Sequence, residues 1–343
     1  DTDRSRGLGD VYKRQFESFG NSRFISIGGW INAIIPILIV PYYSVIGGWV
    51  IKYLIEYFAG HSKTLAGDAY FTTFISNGWS TEICFIIFTL FTLGIIYAGV
   101  RNGIERVSKF MMPILIVLSL IIAVYSVTRP GAIEGVKYFL VPNFDHFSWM
   151  TVVSAMGQMF YSLSIAMGIL ITFGSYMKKD TSIEKSTENV EIFDTAIAIM
   201  AGLMIIPAVF AFSGGNAETL KSGPALMFIT IPKVFANMGF GTAIGVVFFL
   251  LVLFAAVTSS IALTESAVST FEDELHWSRK KSTVFMGMVM LLLGTLSCLG
   301  YGPLANFKIL GMQFLDFFDF ITNSVMMPIA AIATCLLVSK VVG

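Results

Sequence analysis

Oxygen-bearing side chains interrupt several long apolar stretches of this sequence. Thr258, Ser259 and Ser260 place three hydroxyls in succession within one such stretch. The acids inside these stretches or at their edges are Asp194, Glu265, Asp316 and Asp319. Hydroxyl, carboxylate and carbonyl oxygens are ligands for small hard cations, and acids at membrane depth are functional candidates because burying them is costly. Taken singly, each of these residues also suits a hydrogen bond between packed helices.

Residues 157–168, with the sequence GQMFYSLSIAMG, mix small, hydroxyl and aromatic side chains in an otherwise apolar segment. Glycine lowers helix stability, and serine competes for backbone hydrogen bonds. An unwound backbone is tolerated in a bilayer only where it lines a cavity, and its carbonyls would then suit sodium. We therefore predict a broken helix at 157–168, with close helix packing by Gly and Ser as the alternative.

The elements that carry these residues are predicted to be membrane-spanning helices. The chain is 55% hydrophobic and only 13% charged, with a mean hydropathy of +0.77, and a helix needs about 20 apolar residues to cross about 30 Å of hydrocarbon. We predict eight spans, at 25–58, 83–100, 111–127, 150–176, 192–212, 242–271, 284–298 and 314–338. Continuous apolar runs, rather than alternating ones, predict an all-α polytopic membrane protein and not a barrel.

Several other classes of function find no support in the sequence. Zero net charge argues against a nucleic-acid partner. Cys84, Cys298 and Cys335 lie in apolar segments without paired spacing, so we expect core residues rather than disulfides. The three histidines are isolated, and we expect no metal other than sodium. An intramembrane hydrolase with Asp194 and Asp319 as a catalytic dyad is a rival, but the two acids fall at different depths of their spans.

The charged segments give expectations about topology. Basic clusters such as 178–179 and 279–281 favour the side from which the first span enters, so we expect that side to be cytoplasmic, in the cytoplasmic membrane. Residues 1–15 have neither an initiator Met nor a signal-type apolar core, and we expect them to be a construction or assembly scar. We expect residues 16–343 to form a single transmembrane transporter domain.

Three segments in order resemble the neurotransmitter:sodium symporter family. They are Tyr42 and Tyr43 with Trp49; residues 158–168; and residues 258–262 followed by 271–275. The resemblance covers about 16–343. It implies an inverted five-helix repeat fold, in which binding sites lie at broken helices near the middle of the bilayer.

The resemblance also implies roles for individual residues. The substrate would contact Ile39, Tyr43, Phe160, Tyr161, Ser162, Ser164, Met167, Ser259 and Leu263. One sodium ion would use Ser162 and Asp194, and a second would use the Ala255 carbonyl with Thr258 and Ser259. The implied gating residues are Gln158, Tyr176, Asp273 and Asp319. Gly103 and Pro113 resemble a pair that lets a helix unwind, although a loop glycine and a helix-start proline are an equal alternative.

Two positions depart from the pattern of many family members. Asp194 stands where they have Asn, and Ala198 stands where chloride-dependent animal members have Ser. A resident carboxylate beside sodium can replace the charge of chloride, because an unpaired cation is costly at low dielectric. We therefore expect transport that does not require chloride.

Counting helices against the inverted repeat predicts that the family's first two helices and any eleventh are absent from this sequence, so the fold would be incomplete and this stretch alone should not transport. The function implied for the complete protein is sodium-coupled symport of a neutral, possibly large hydrophobic or aromatic, amino acid by alternating access. The partners would be the amino acid, sodium ions and the lipid bilayer. A nontransporting membrane subunit that keeps the fold is the alternative.

Overall fold

The computed structural model describes residues 23–144, 147–178, 180–216, 223–337 and 339. The expected scar at 1–15, His146 and position 338 lie outside the described residues. Within the described residues, every regular element is a helix. The α-helices are α1 (Arg23–Phe58), α2 (Ser62–Leu65), α3 (Tyr70–Ser76), α4 (Gly78–Tyr97), α5 (Arg106–Val127), α6 (Ala132–Leu140), α7 (Trp149–Ser162), α8 (Ile169–Ser175), α9 (Ile183–Ser213), α10 (Ile231–Ala236), α11 (Gly241–Leu275), α12 (Arg279–Leu299), α13 (Phe314–Asp319) and α14 (Met327–Leu337).

In the described ranges, three π-helical segments join or extend these helices. They are Val100–Glu105 before α5, Leu226–Thr230 before α10, and Phe320–Met326 between α13 and α14. Such wide turns are rare and occur frequently at functional sites. The last of them begins directly after Asp319, one of the predicted gating residues.

Seven helical stretches in the described part of the chain are long and apolar enough to cross a membrane. They correspond to seven of the predicted spans, but several begin earlier than expected: α4 at Gly78 rather than 83, α9 at Ile183 rather than 192, and α12 at Arg279 rather than 284. The added first turns are polar, so the apolar pattern alone could not reveal them. The remaining predicted span, 150–176, is two separate helices, α7 and α8.

The first helix, α1, forms the centre of the bundle and packs against α4, α11, α12 and α14. Its buried residues Trp49, Tyr53 and Tyr57 meet an aromatic cluster that includes Phe228 and Phe249. Aromatic side chains bury large areas and prefer such edge-to-face and offset contacts. The bundle therefore has a rigid aromatic core around α1.

Small residues set how closely the helices approach. A side chain added at Gly48 of α1 would come within 2.7 Å of the Phe85 backbone nitrogen of α4. A side chain added at Gly245 of α11 would come within 2.1 Å of the Tyr57 ring. Membrane helices associate largely through van der Waals packing, and glycine permits backbones to come together. These contacts fix α4 and α11 against α1.

Candidate functional site

The break between α7 and α8 covers residues 163–168. Ser164, Ala166 and Gly168 have positive φ values of 55°, 63° and 71°, a conformation that is uncommon for residues with a Cβ and costs energy. The predicted break was therefore too long: Gly157 and the residues up to Ser162 remain in α7. Only 163–168 leave the helical path, and Gly168 starts α8 from the left-handed conformation.

Ser162, the last residue of α7, contacts α9 beside the break. Its hydroxyl donates a 2.6 Å hydrogen bond to Oδ1 of Asp194. Because the proton points to the carboxylate, the serine oxygen keeps its lone pairs, and the ionised carboxylate is an acceptor only. The two predicted ligands of one sodium ion are thus adjacent and offer oxygens to a cation.

The three successive hydroxyls of α11 divide between two faces of the helix. The Ser260 hydroxyl is fully buried and accepts a 3.3 Å hydrogen bond from Thr92 of α4. Thr258 instead donates to the carbonyls of Phe254 (3.1 Å) and Ala255 (3.0 Å), and Ser259 is exposed. Thr258, Ser259 and the Ala255 carbonyl therefore form the candidate second cation group, while Ser260 is part of the packing.

The two adjacent tyrosines of α1 have different partners. The Tyr43 side chain lies beside Ser259 of α11, whereas the buried Tyr42 donates a 3.2 Å hydrogen bond to Oδ1 of Asp319. Asn323 donates to the same oxygen at 2.5 Å. The structure thus connects Tyr43 to the candidate cation and substrate residues, and Tyr42 to the predicted gate at Asp319.

The other predicted substrate residues differ in how far they are buried. Ile39, Met167 and Leu263 are buried in the apolar core, and Phe160 packs against it. Tyr161 is 36% exposed, and Ser164 lies in the break itself. Gln158, a predicted gating residue, is exposed on α7, one turn before Ser162. No side chain of this predicted set carries a charge.

Tyr176, predicted to gate with Asp273, also has partners that the sequence reasoning missed. Its hydroxyl donates a 2.5 Å hydrogen bond to Glu265 and lies 2.8 Å from the hydroxyl of Ser269. Arg279 donates two hydrogen bonds to the fully buried Glu265 carboxylate, at 3.0 and 2.5 Å. Glu265 and Ser269 share one helix face at a spacing of four. That spacing, with an arginine just beyond the end of α11, could have indicated the cluster.

The alternative prediction for Gly103 and Pro113 was a loop glycine and a proline at the start of a helix. Neither residue occupies such a position. Gly103 lies in the π-helical segment Val100–Glu105, and Pro113 lies inside α5. A side chain added at Gly103 would come within 2.1 Å of the Ile95 carbonyl oxygen. Glycine is thus required there by close backbone approach, and the unwinding role stays a prediction.

Asp194 and Asp319 belong to separate hydrogen-bond groups on different helices. Asp316, the other acid of α13, accepts a 2.9 Å hydrogen bond from Tyr301. Burial, together with this carboxylate, raises the pKa of Tyr301 above its ordinary value. Within the described residues, no cluster of three or more His, Cys, Asp or Glu residues is arranged to hold a metal ion.

Comparisons with known proteins agree on one family. The family model described as the sodium:neurotransmitter symporter family matches residues 56–343. An uncharacterised sodium-dependent transporter of Bacillus subtilis, YhdH, is 34% identical over 332 residues, covering 96% of this chain and 72% of the relative. One from Haemophilus influenzae is 30% identical over 330 residues, covering 94% of this chain and 71% of the relative. The crystal structure of MhsT in complex with L-phenylalanine matches with a TM-score of 0.83 and 34% identity, over 96% of this chain and 77% of that one.

Proposed function

The chain belongs to the sodium:neurotransmitter symporter family and is a multi-pass sodium-dependent transporter, and from this premise we propose that it carries a neutral, large hydrophobic or aromatic amino acid across the cytoplasmic membrane together with sodium. The observation that carries the proposal is the Ser162–Asp194 hydrogen bond at the end of the broken helix. Sodium at these oxygens stabilises one conformation of the protein, substrate completes the site, and a population shift releases both on the other side.

The surroundings of the break support a substrate without a charged side chain. Ile39, Met167 and Leu263 are buried and apolar, and methionine adapts its shape to different apolar groups. A charged side chain placed there would lose its hydration without gaining a partner. The solved relative that holds L-phenylalanine is consistent with this choice.

The amino-acid carboxylate is proposed to bind the Tyr43 hydroxyl. The Tyr43 side chain lies beside Ser259, which belongs to the candidate second cation group. A substrate carboxylate bound at the Tyr43 hydroxyl would therefore lie close to that cation group. A charge-assisted hydrogen bond to a carboxylate is about twice as strong as a neutral one, which favours this hydroxyl as the partner of the carboxylate.

Uptake into proteoliposomes that contain the full gene product tests the proposal. We expect an inward sodium gradient to drive uptake of labelled L-phenylalanine, with competition from large neutral amino acids and none from lysine or glutamate. Replacement of sodium by potassium should abolish uptake. Equal uptake in the two salts would contradict the proposal.

Chloride independence is proposed from the charge of Asp194. Ala198 follows one turn later on α9, so the nearby position has no hydroxyl to bind an anion. We expect the rate of uptake to stay unchanged when gluconate replaces chloride. The Asp194→Asn, Ala198→Ser double variant removes the carboxylate and adds a hydroxyl, and its uptake should depend on chloride. Collapse of wild-type uptake in gluconate would refute the idea.

A further inference from the structure

A groove on the outside of the bundle is separate from the candidate transport site. It lies between α4, α5 and α11 and has a volume of about 380 Å³. Its lining is almost wholly apolar and includes Phe91 of α4, Val107, Phe110 and Met111 of α5, and Phe254 and Val257 of α11. Arg106, at the start of α5, is the one charged residue that lines it within the part of the chain that the structure describes.

The groove and the cation group use different faces of α11. Phe254 and Val257 each precede a member of the cation group, Ala255 and Thr258, by one residue. Successive residues of an α-helix are turned by about 100° around its axis. An occupant of the groove therefore does not need sodium or substrate in order to bind.

The position of the groove in its helices matches one leaflet of a bilayer. Arg106 is three residues inside the apolar span Gly103–Val127, and Met111 is five residues deeper, or about 7 Å further along the helix. Phe91 lies six residues before the end of α4 at Tyr97, about 9 Å from that end. Both distances fall within one leaflet, which is about half of the 30 Å hydrocarbon thickness.

Arg106, at the start of α5, is available to bind an anion. The neighbouring Lys109 is paired with Glu105 at 2.6 Å, and Arg279 is held by Glu265. Arg106 has no ion pair or hydrogen bond within the described residues, and its side chain is exposed. A guanidinium at the edge of hydrocarbon is matched well by a phosphate, which it can bind through two parallel hydrogen bonds.

We propose that the groove binds an anionic phospholipid, with an acyl chain between α4, α5 and α11 and the headgroup phosphate on Arg106. The exposed rings of Phe91 (55%) and Phe110 (65%) provide apolar walls for the chain. A soluble anion could use Arg106 but not these walls. A zwitterionic lipid carries its own cation beside its phosphate, so it gains less from Arg106.

Native mass spectrometry of the full gene product in detergent tests the site. The protein is titrated with phosphatidylglycerol or phosphatidylcholine, and the retained lipid is counted. We expect tighter retention of phosphatidylglycerol. Arg106→Gln should weaken its retention about five- to ten-fold, as for the loss of one interfacial cation. Lys109→Gln, on the same helix but outside the groove lining, should leave retention unchanged.

Two further measurements separate the headgroup from the acyl chain. Val107→Phe narrows the groove while keeping Arg106, and it should reduce retention of phosphatidylglycerol. Inorganic phosphate added in excess should not displace the lipid. The proposal is overturned if the two lipids are retained equally, if Arg106→Gln has no more effect than Lys109→Gln, if Val107→Phe has no effect, or if phosphate alone displaces the lipid. Thermal unfolding of each variant identifies the folded samples to which these comparisons apply.

Discussion

Two acids in the bundle have opposite surroundings. Glu265 of α11 is fully buried, and its two oxygens accept hydrogen bonds from Tyr176 and from two nitrogens of Arg279. Asp194 of α9 is half-buried and, within the described residues, accepts one hydrogen bond, from Ser162. Both carboxylates can accept the same number of hydrogen bonds, but Glu265 accepts more of them than Asp194.

The difference separates an acid whose charge the protein compensates from one that is a candidate to bind a cation. An ionised carboxylate has about four lone-pair sites, and burying it is costly unless they are compensated. Tyr176 and Arg279 compensate the buried charge of Glu265. Through these contacts Glu265 links α8, α11 and α12. Asp194 keeps unused acceptor capacity beside the break at 163–168. The missing compensation at Asp194 is what a bound sodium ion would supply.

Arg279→Gln should give the largest effect, because it leaves the Glu265 charge buried without its cation. Breaking a buried pair from one side costs about 3–5 kcal/mol of stability. We expect a correspondingly large fall in the thermal unfolding temperature of the detergent-solubilised protein. The Glu265→Gln, Arg279→Gln double variant should recover part of the loss, because neither charge then remains.

Lys280→Gln is the matched control. Lys280 follows Arg279 on α12, and its Nζ lies 5.7 Å from the centroid of the Tyr97 ring. Such a cation–π contact stabilises the protein less than the buried ion pair does. If Arg279→Gln destabilised the protein no more than Lys280→Gln, the division between compensated and uncompensated acids would be wrong.

Asp194→Asn tests the acid that has unused acceptor capacity. It should lower sodium affinity more than folding stability. Loss of the carboxylate should weaken sodium affinity by about 1.5–3 kcal/mol, or roughly ten- to a hundred-fold. Sodium raises the unfolding temperature of a protein that it binds, so a sodium titration followed by thermal unfolding measures the change. Glu191→Gln, one turn earlier on α9 and exposed, should leave the sodium response intact. A response that survives in Asp194→Asn would remove Asp194 from the site.

The sequence predicted the helical class and the position of the break because both depend on local composition. Long apolar runs require helices in a bilayer, and the family motifs aligned Ser162 with Asp194, which are 32 residues apart yet form a hydrogen bond. The extent of the break was less predictable. Gly157 has helix-breaking character, yet it stays helical in α7, whereas Ala166 adopts a positive φ.

The contacts between distant helices were the hardest to predict. The sequence marks Glu265 as a costly acid with basic residues just beyond the end of α11, but the turn between α11 and α12 decides that Arg279 is its partner. The split of Tyr42 and Tyr43 between Asp319 and Ser259 likewise depends on how α1, α11 and α13 pack. Such pairings follow from tertiary geometry, which composition and periodicity do not encode.

Hydroxyl deletions on α11 should give the smallest effects and sharpen the comparison within one helix. Thr258→Ala removes a candidate cation ligand, so sodium affinity should fall by about 1 kcal/mol, or roughly five-fold. The Thr258→Ala, Ser259→Ala double variant should fall further. Ser260→Ala removes the buried hydroxyl bonded to Thr92, so it should lower stability by about 1 kcal/mol and leave sodium affinity unchanged. Sodium titrations of the three variants, followed by thermal unfolding, separate these outcomes. Equal sodium affinities in all three variants would mean that Thr258 and Ser259 do not differ from the buried Ser260 in sodium binding. The second cation group would then lie elsewhere.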